Sequence, residues 1–410
     1  MNKIAIIGIG RVGLPLALYM ESVGFKVIGI DRDKNIINSL NEKQMPFEEP
    51  GCQELLDKSK IYFTNEYETV SEATYIFITV GTPLLAHIET DLSNVKAVIE
   101  SLIPLLKPGV CIIIRSTIAP RTTEYIKRTI ETEAGLIIGK DIGLAFCPER
   151  LAEHKALEEL SLLPQIIGCE DNMSFRLAQE VFRPYGVKIF KTNYLSAELT
   201  KLFNNSARYV QFAIANQFAL YAHSFDQDIY EILQLCNEDY PRGMINTPGF
   251  TAGTCLRKDY GMVNELFPGS DLLLSAWKVN EFMPFHLTQI AQKNAPLNGS
   301  NIAVLGYTFK ANSDDSRDSL VPKLMRYLER YVPKSIKVHE PNLKEQQLGG
   351  HPNVQLADCL KEADFVFIAM NHDEYKNYKN IMKMINNETV IIDIWNCLGT
   401  NKISFKKKDV

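Results

Sequence analysis

The chain has 410 residues, of which 46% are hydrophobic and 23% are charged, and its formal net charge is −5. This composition is ordinary for a folded globular protein and excludes wholesale disorder. The acidic balance provides no electrostatic footprint for nucleic acid, and the lack of a long uncharged apolar run argues against a membrane-spanning helix. At about 150 residues per domain, the length predicts two or three domains.

The start of the chain has apolar residues after Lys3, but a glycine pattern in the same stretch explains it better than a signal peptide does. The eight cysteines are irregularly spaced and form no C-x-x-C pair, and the seven histidines have no metal-ligand spacing. The sequence therefore predicts no metal site. It also predicts a reducing, cytoplasmic compartment in which free thiols are the default.

The first part of the chain alternates strand and helix patterns. Continuous apolar runs, typical of strands buried on both faces, occupy residues 3–9, 26–30, 75–80, 110–114, 142–146 and 165–168. Helical stretches lie between most of these runs. The repetition of strand, helix and strand predicts a parallel sheet that is covered by helices.

The middle of the chain has a helical pattern instead. From Tyr194 to His223 apolar residues recur at helical period without Gly or Pro, which predicts one helix of about 30 residues, a structural spine or a subunit contact. The breaker-rich residues 294–301 predict a linker. Strand patterns then return at residues 301–305, 335–340, 365–370 and 389–394. The predicted fold class is α/β, with two parallel-sheet domains, residues 1–193 and 297–410, joined by a helical domain, residues 194–296.

A glycine-rich segment, Gly8–Gly13 (GIGRVG), follows the first predicted strand and opens a helix. Its glycines permit a tight turn, close approach to a pyrophosphate and close helix packing, and the helix N-terminus supplies amide donors. Asp31 stands 18 residues after Gly13, where a carboxylate accepts from both ribose hydroxyls and repels a 2′-phosphate. The pattern predicts a Rossmann-like domain that binds NAD, although Arg32 weakens the preference for NAD over NADP.

Short polar residues end two further predicted strands, at residues 79–83 (TVGTP) and 115–117 (RST). Ligands bind at the carboxyl ends of strands in an open parallel sheet. We therefore expect both segments to form walls of the same cofactor cleft. Ordinary turn residues are the alternative interpretation.

The most informative segment is GFTAGTCLRKD at residues 249–259. Small residues precede Cys255, and Lys258 and Asp259 follow it by three and four positions, one helical turn later. A helix N-terminus and a nearby cation favour the thiolate, which is the nucleophilic form of cysteine. The segment predicts a reactive Cys255, whereas the other cysteines are predicted to be buried and inert.

Three polar residues of the predicted long helix, Glu198, Lys201 and Asn205, are spaced by three and four positions. That spacing places them on one face of the helix. A cation and an amide directed together at a cleft can stabilise negative charge on oxygen. A solvated polar stripe is the alternative.

Together these segments resemble the UDP-glucose/GDP-mannose dehydrogenase family, the nucleotide-sugar 6-dehydrogenases, over nearly the whole chain and in the same order. The cofactor-side matches are Gly8–Gly13 with Asp31, the E-P-G turn at residues 49–51, and residues 80–83 and 116–117. The remaining matches are the P-E segment at 148–153, the A-E-x-x-K-x-x-x-N helix at 197–205, G-x-C-x-x-K-D at 253–259 and G-x-x-F-K…D-x-R-x-S at 306–319.

The resemblance implies oxidation of the 6-hydroxymethyl group of a nucleotide-linked sugar to a carboxylate with two NAD+, through a thiohemiacetal and a thioester. The implied catalytic residues are Cys255, Lys201, Asn205, Asp259, Glu153 and Thr117. The implied cofactor contacts are Gly8, Gly10, Arg11, Val12, Gly13, Asp31, Arg32, Gly81, Thr82, Pro83, Ser116, Thr117, Glu149, Lys258 and Arg317. The implied substrate contacts are Glu153, Lys201, Asn205, Arg242, Gly253, Phe309 and Lys310.

The resemblance also implies that the C-terminal Rossmann-like domain holds the nucleotide and that the helical middle pairs subunits in a homodimer or higher homo-oligomer. The P-E-R sequence at residues 148–150 resembles the branch acting on UDP-N-acetylhexosamines, and His154 stands where a glycine is common. The predicted substrate is therefore UDP-ManNAc, UDP-GlcNAc or UDP-GalNAc, with UDP-glucose or GDP-mannose as the alternative. More distant alternatives are a two-electron hydroxyacid dehydrogenase, which needs no cysteine motif, and an inactive nucleotide-sugar binder.

Overall fold

The computed structural model describes residues 3–83, 90–253, 256–266, 269 and 271–409. These residues form two compact units. The first unit contains the described residues up to Asn204 and the segment 261–266, and the second contains the others. None of the helices in the described ranges is both long and apolar enough to cross a membrane. The division into three domains with the boundaries given above stays a prediction.

The first unit is built on an eight-stranded sheet. Its strands are β1 (Lys3–Ile7), β2 (Lys26–Ile30), β3 (Tyr62–Thr64), β4 (Tyr75–Ile78), β5 (Cys111–Ile114), β6 (Gly143–Phe146), β7 (Gln165–Gly168) and β8 (Ile189–Thr192). The order is β3-β2-β1-β4-β5-β6-β7-β8, and β1 to β6 pair in parallel. This is the strand order of the dinucleotide-binding Rossmann fold, extended by β7 and β8. In contrast to an all-parallel sheet, β7 joins β6 in antiparallel orientation at Phe146 and Gly168.

Helices cover this sheet. They are α1 (Gly13–Ser22), α2 (Lys34–Asn41), α3 (Cys52–Lys58), α4 (Ser93–Leu102), α5 (Thr122–Glu133), α6 (Ala156–Leu160) and α7 (Asn172–Phe182). The central strands β1 (KIAII), β4 (YIFI) and β5 (CIII) are apolar apart from Lys3. Their composition follows from burial of both faces of the sheet under helices. The next helix, α8 (Tyr194–Ser224), contributes residues to both units, and so does α10 (Leu256–Leu266).

The second unit contains helices α9 (Ile229–Asn237), α10 (Leu256–Leu266) and α11 (Asp271–Asn294), followed by a second sheet. Its strands are β9 (Asn301–Leu305), β10 (Ser335–His339), β13 (Phe365–Ile368), β14 (Val390–Asp393) and β15 (Ser404–Lys406), and a small hairpin consists of β11 (Gln347–Leu348) and β12 (His351–Pro352). The sheet order is β10-β9-β13-β14-β15, parallel except for β15. The accompanying helices are α12 (Val321–Glu329), α13 (Leu356–Leu360) and α14 (Tyr378–Met384).

The predicted strands are all present, with ends that differ by a few residues, and the α/β fold class is confirmed. The helix predicted from Tyr194 to His223 is also confirmed, as α8. The predicted linker follows α11, which ends at Asn294. Five short strands of the described residues, β3, β8, β11, β12 and β15, were not predicted.

Candidate functional site

The turn after β1 is closed against the end of β4. Gly8 has φ 97°, and its N–H donates to the carbonyl oxygen of Ile30 at 2.8 Å. A Cβ atom on Gly8 would lie 2.9 Å from the backbone carbon of Thr79, and the Thr79 hydroxyl donates to the Gly8 oxygen at 2.8 Å. Both the positive φ and the close approach therefore require glycine here.

The rest of the turn is open on one side and packed on the other. A Cβ atom on Gly10 would meet no heavy atom within 4 Å, whereas one on Gly13 would lie 2.0 Å from the Gly8 oxygen. Gly13 begins α1, with Val12 at the preceding capping position. The backbone at Gly10 is thus accessible while the helix N-terminus is held close to the strand, an arrangement that fits a pyrophosphate.

Asp31 is oriented by backbone amides at the end of β2. It is half-buried, and its carboxylate accepts from the N–H of Ile9 at 2.8 Å and of Asp33 at 2.9 Å. Arg32 points to a different partner, since it donates to Asn94 Oδ1 at 3.0 Å. A carboxylate beside the glycine turn fits the adenosine ribose of NAD, and the residues present therefore suit this cofactor.

The two polar segments predicted to wall the cleft lie against each other. Thr82 Oγ1 donates to the Thr117 carbonyl oxygen at 2.5 Å, and Ser116 Oγ donates to the Val80 oxygen at 2.7 Å. Gly81 accepts from the Asn94 side chain at 2.9 Å, and Pro83 accepts from a backbone amide. The parallel neighbours β4 and β5 bring these residues together because their carboxyl ends share one edge of the sheet.

The P-E segment contacts the glycine turn. Arg11 forms an ion pair with Glu153 at 2.7 Å, and its guanidinium lies 5.0 Å from the centre of the Phe47 ring. Glu149 lies 3.5 Å from the ammonium of Lys201, which is buried on α8. Each of these two ion pairs therefore joins a predicted cofactor residue to a predicted substrate residue of the first unit.

Glu49 is a residue of this region to which the sequence analysis assigned no role. It is buried, and its carboxylate accepts from the N–H of His154 and of Ala156, both at 2.9 Å. His154 has φ 66°, in the left-handed region that favours glycine, the residue that the family resemblance implied for this position. Glu49 therefore holds the loop that carries Glu153, and the E-P-G match was the signal that could have identified it.

Glu198 is buried rather than part of a solvated stripe. Its carboxylate accepts from the N–H of Arg121 at 2.7 Å and from the N–H and hydroxyl of Thr123 at 2.9 and 2.6 Å. Burial raises the pKa of Glu198, and these hydrogen bonds oppose the increase. The residue serves as a tertiary cap for the N-terminus of α5, whose free amides need acceptors.

In the second unit, two predicted catalytic residues form a hydrogen bond. Asn205 Nδ2 donates to Asp259 Oδ2 at 2.6 Å, and Asp259 on α10 is fully buried. Lys258 precedes it and is half-buried. Cys255 lies outside the described residues, so its predicted role is not examined by the structure.

The remaining predicted residues lie elsewhere in the second unit. Gly253 packs against Phe309, because a Cβ atom on Gly253 would lie 2.4 Å from the Phe309 ring. Lys310 is half-buried in the same loop as Phe309. Arg317 forms an ion pair with Asp315 at 2.6 Å, and Arg242 is exposed and donates to the Tyr240 hydroxyl at 3.0 Å.

Family models match three consecutive parts of the chain. The NAD binding, central and UDP binding domains of the UDP-glucose/GDP-mannose dehydrogenase family match residues 2–186, 195–281 and 303–400. The chain therefore belongs to the UDP-glucose/GDP-mannose dehydrogenase family. It is an NAD-dependent nucleotide-sugar 6-dehydrogenase.

Several relatives resemble the chain over most of its length. A UDP-N-acetyl-D-mannosamine dehydrogenase of Pyrococcus horikoshii is 32% identical over 98% of this chain and 97% of its own. The solved structure of the P. horikoshii UDP-D-ManNAc dehydrogenase covers 94% of this chain and 93% of its own with a TM-score of 0.85. That of the Staphylococcus aureus UDP-N-acetyl-mannosamine dehydrogenase is 27% identical, with a TM-score of 0.84 over 94% of this chain and 93% of its own.

Proposed function

We propose that the chain oxidises the 6-hydroxymethyl group of a UDP-N-acetylhexosamine, in the first place UDP-ManNAc, to the uronic acid. The observation that carries the choice of sugar is the similarity to UDP-N-acetyl-D-mannosamine dehydrogenases, 32% identity over 98% of this chain for the P. horikoshii protein. The P-E-R sequence at residues 148–150 supports the same branch. A Methanosarcina mazei NDP-N-acetyl-D-galactosaminuronic acid dehydrogenase, 27% identical with a TM-score of 0.78, keeps the galacto sugar as a second candidate.

The proposed reaction converts the primary alcohol, two NAD+ and one water into the carboxylate, two NADH and three protons. When bound, NAD+ accepts a hydride from C6 of the sugar in each of the two oxidations. The Cys255 sulfur forms a C–S bond with the C6 aldehyde carbon, and the carbonyl oxygen takes a proton to give a thiohemiacetal. Loss of the second hydride and of that proton leaves a thioester. Water then cleaves the C–S bond and returns the thiol.

The other proposed roles follow from charge and hydrogen bonding. The Lys201 ammonium stabilises negative charge on the substrate oxygen, and Asn205 adds an amide donor or acceptor. Asp259, which accepts a hydrogen bond from Asn205 at 2.6 Å, and Glu153 are the proposed groups for proton transfer. Thr117, in the segment proposed to form a wall of the cofactor cleft, is a further proposed catalytic residue. Lys258 and Arg317 are proposed cofactor contacts, and Phe309, Lys310, Gly253 and Arg242 are proposed substrate contacts.

Two experiments on the purified protein test this function. NADH release is measured with UDP-ManNAc, UDP-GlcNAc, UDP-GalNAc, UDP-glucose and GDP-mannose, and we expect two NADH per sugar with the highest kcat/KM for UDP-ManNAc. A higher kcat/KM for another sugar overturns the choice of substrate, and one NADH with release of the free aldehyde overturns the thioester route. Cys255→Ser should stop turnover after the first oxidation, whereas the matched control Cys236→Ser, at a half-buried cysteine of α9, should keep wild-type activity.

A homodimer is part of the proposal. Three residues of α8, Ile214, Phe218 and Tyr221, and Phe225 directly after the helix form an exposed apolar face, with 38–75% of their surface exposed. Apolar stripes of this kind are typical of subunit contacts. We expect Phe218→Glu to shift the sedimentation coefficient from that of a dimer to that of a monomer, while Leu162→Glu, at an exposed leucine elsewhere, leaves it unchanged.

The proposed compartment is the cytoplasm, and the proposed use of the product is polysaccharide biosynthesis.

A further inference from the structure

The loop after β9 carries Phe309 and Lys310, two of the proposed substrate contacts, and it lies within the UDP binding domain, residues 303–400. The loop begins at Gly306, with φ 93°, and turns again at Asn312, with φ 54°. The Phe309 ring packs on Gly253, and the Phe309 N–H donates to the Asp315 oxygen at 3.0 Å. The position of this loop therefore also determines where the Phe309 ring packs on Gly253, two residues before Cys255.

The start of the loop is held by Glu340, which follows β10. Only 2% of Glu340 is exposed. Its Oε2 accepts from the N–H of Tyr307 at 2.7 Å and of Thr308 at 3.1 Å, and its Oε1 accepts from the N–H of Asn342 at 3.0 Å. The carboxylate thus fixes the two residues that precede Phe309.

The end of the loop is held by His372, which follows β13 and is 1% exposed. Its Nδ1 accepts from the N–H of Asn312 at 2.8 Å. The hydrogen-bond network therefore assigns the ring proton to Nε2, which donates to Glu340 Oε2 at 3.0 Å. One imidazole links the carboxylate at the start of the loop to the amide at its end.

A second contact reinforces the end of the loop. Asn312 Nδ2 donates to Asp373 Oδ2 at 2.7 Å, and the Asp373 N–H donates to Asn312 Oδ1 at 3.0 Å. Asn312 is thus bound through its backbone to His372 and through its side chain to Asp373. The residues between Thr308 and Asn312 are fixed at both ends, and they include Phe309 and Lys310.

We propose that His372 is a positioning residue for nucleotide-sugar binding: its Nδ1 holds the Asn312 amide while Glu340 orients the ring, so that Phe309 and Lys310 are presented in one conformation. This inference rests on the proposed function of Phe309 and Lys310. Preorganisation lowers the cost of ordering a binding loop, so its loss weakens affinity without removing a direct contact. The effect should fall on UDP and on the KM for the UDP-sugar, and not on NAD+.

Two substitutions at one position separate the halves of this link. His372→Asn places an amide oxygen near the position of Nδ1, where it can accept from Asn312, but does not reach Glu340. His372→Gln can donate to Glu340 but offers no acceptor to Asn312. With UDP as the probe in titration calorimetry, we expect Gln to raise the Kd at least 10-fold and Asn to raise it less than 3-fold. The NAD+ Kd should be unchanged in both. Equal effects of the two variants on UDP, or no effect of Gln, would overturn the proposal.

Two further variants keep the test decisive. Asn312→Gly tolerates the positive φ and keeps the backbone donor but removes both bonds to Asp373, at an exposed position where folding is not at risk. We expect the UDP Kd of Asn312→Gly to be about 3-fold higher than that of the wild type. If the His372 variants do not fold, an unchanged UDP Kd for Asn312→Gly overturns the proposal.

Lys310→Ala tests the nucleotide site itself. An unchanged UDP Kd for Lys310→Ala rejects that site and the inference together, whereas loss of affinity in Lys310→Ala but not in His372→Gln rejects the positioning role alone.

Discussion

The first turns of the two sheets share a backbone geometry but differ in how they use an acidic residue. Gly8 and Gly306 have φ 97° and 93°, and each N–H donates at 2.8 Å to the carbonyl oxygen of the last residue of the neighbouring strand, Ile30 of β2 and His339 of β10. An acid after that strand then accepts from the turn, Asp31 from Ile9 at 2.8 Å and Glu340 from Tyr307 at 2.7 Å.

The difference lies in accessibility and partners. Asp31 is half-buried, whereas Glu340 is buried and accepts from His372 at 3.0 Å. The Glu340 carboxylate already accepts from Tyr307, Thr308, Asn342 and His372, so a ribose hydroxyl could bind it only by displacing one of these donors. The comparison teaches that one Rossmann-type turn leaves its acid partly accessible, as the proposed cofactor contact requires, and the other uses its acid to build a loop.

The largest effect should come from filling the first turn. Gly8→Ala forces a positive φ on alanine and places Cβ 2.9 Å from the Thr79 backbone. We expect the NAD+ Kd to rise by about 100-fold or more, roughly 3 kcal/mol, with the UDP Kd unchanged. Gly24→Ala is the control, since Gly24 has φ 101° but nothing within 4 Å of its Cβ position. An equal loss of NAD+ affinity in Gly24→Ala would show that the loss comes from backbone strain at a positive φ and not from the close contact between Gly8 and Thr79.

The acid of the second turn should stabilise the fold in a pH-dependent manner. Burial raises the pKa of Glu340, but the hydrogen bonds from His372 and from the amides of Asn342 and Tyr307 outweigh it and lower the pKa to about 2. The folded pKa is thus below the unfolded value of about 4.3, so the ionised group stabilises the fold above pH 4.3 and the contribution is lost as the pH falls to 2.

Urea unfolding at a series of pH values measures this contribution. The advantage of the wild type over Glu340→Gln should be on the order of 3 kcal/mol at pH 6 and should shrink toward zero near pH 2. Glu345→Gln, at an exposed position, serves as the control and should show little difference at any pH. A difference for Glu340→Gln that is constant with pH would contradict the assignment.

The acid of the first turn should affect cofactor choice more than stability. Asp31→Asn weakens two proposed hydrogen bonds to ribose and removes the charge that repels a 2′-phosphate. We expect the NAD+ Kd to rise about 10- to 100-fold, roughly 1–3 kcal/mol, and the preference for NAD+ over NADP+ to fall. Titrations with both cofactors check this, and the same titrations on Glu340→Gln should give wild-type values. A changed NAD+ Kd in Glu340→Gln would remove the contrast between the two acids.

The smallest effect on the fold should come from Gly10→Ala. The added Cβ meets nothing within 4 Å, so the free energy of unfolding should change by less than about 1 kcal/mol. If the pyrophosphate lies over this backbone, the NAD+ Kd should nevertheless rise. Thermal unfolding and NAD+ titration of the same variant measure the two quantities, and an unchanged Kd would place the phosphates elsewhere.

The strands that the sequence did not reveal are all at sheet edges. β3 and β8 are the outer strands of the first sheet, β15 is an outer strand of the second, and β11 and β12 form a two-stranded hairpin in which both strands are edges. They are two to four residues long and include polar positions, as in IFKT of β8. An edge strand is solvated on one side, so it lacks the continuous apolar run by which a buried parallel strand is recognised.

The candidate site divides in the same way. Gly8, Gly13 and Asp31 were predicted because their chemistry depends on short spacings along the chain. Glu49, Glu340 and His372 were not, because each acts on a loop more than 30 residues away: Glu49 on His154, and Glu340 and His372 on the loop after β9. Nothing local distinguishes such a carboxylate or imidazole from a surface residue.

The sequence by itself determined the order of strands and helices, the glycine turn with its acid, and the family to which the chain belongs, because apolar periodicity and motif spacing are properties of neighbouring residues. Only the tertiary structure decided which polar groups are buried and what they hold, from the Glu198 cap of α5 to the link between Glu340 and His372. The physical reason is that a buried polar group is defined by its partners, and folding brings those partners from distant parts of the chain.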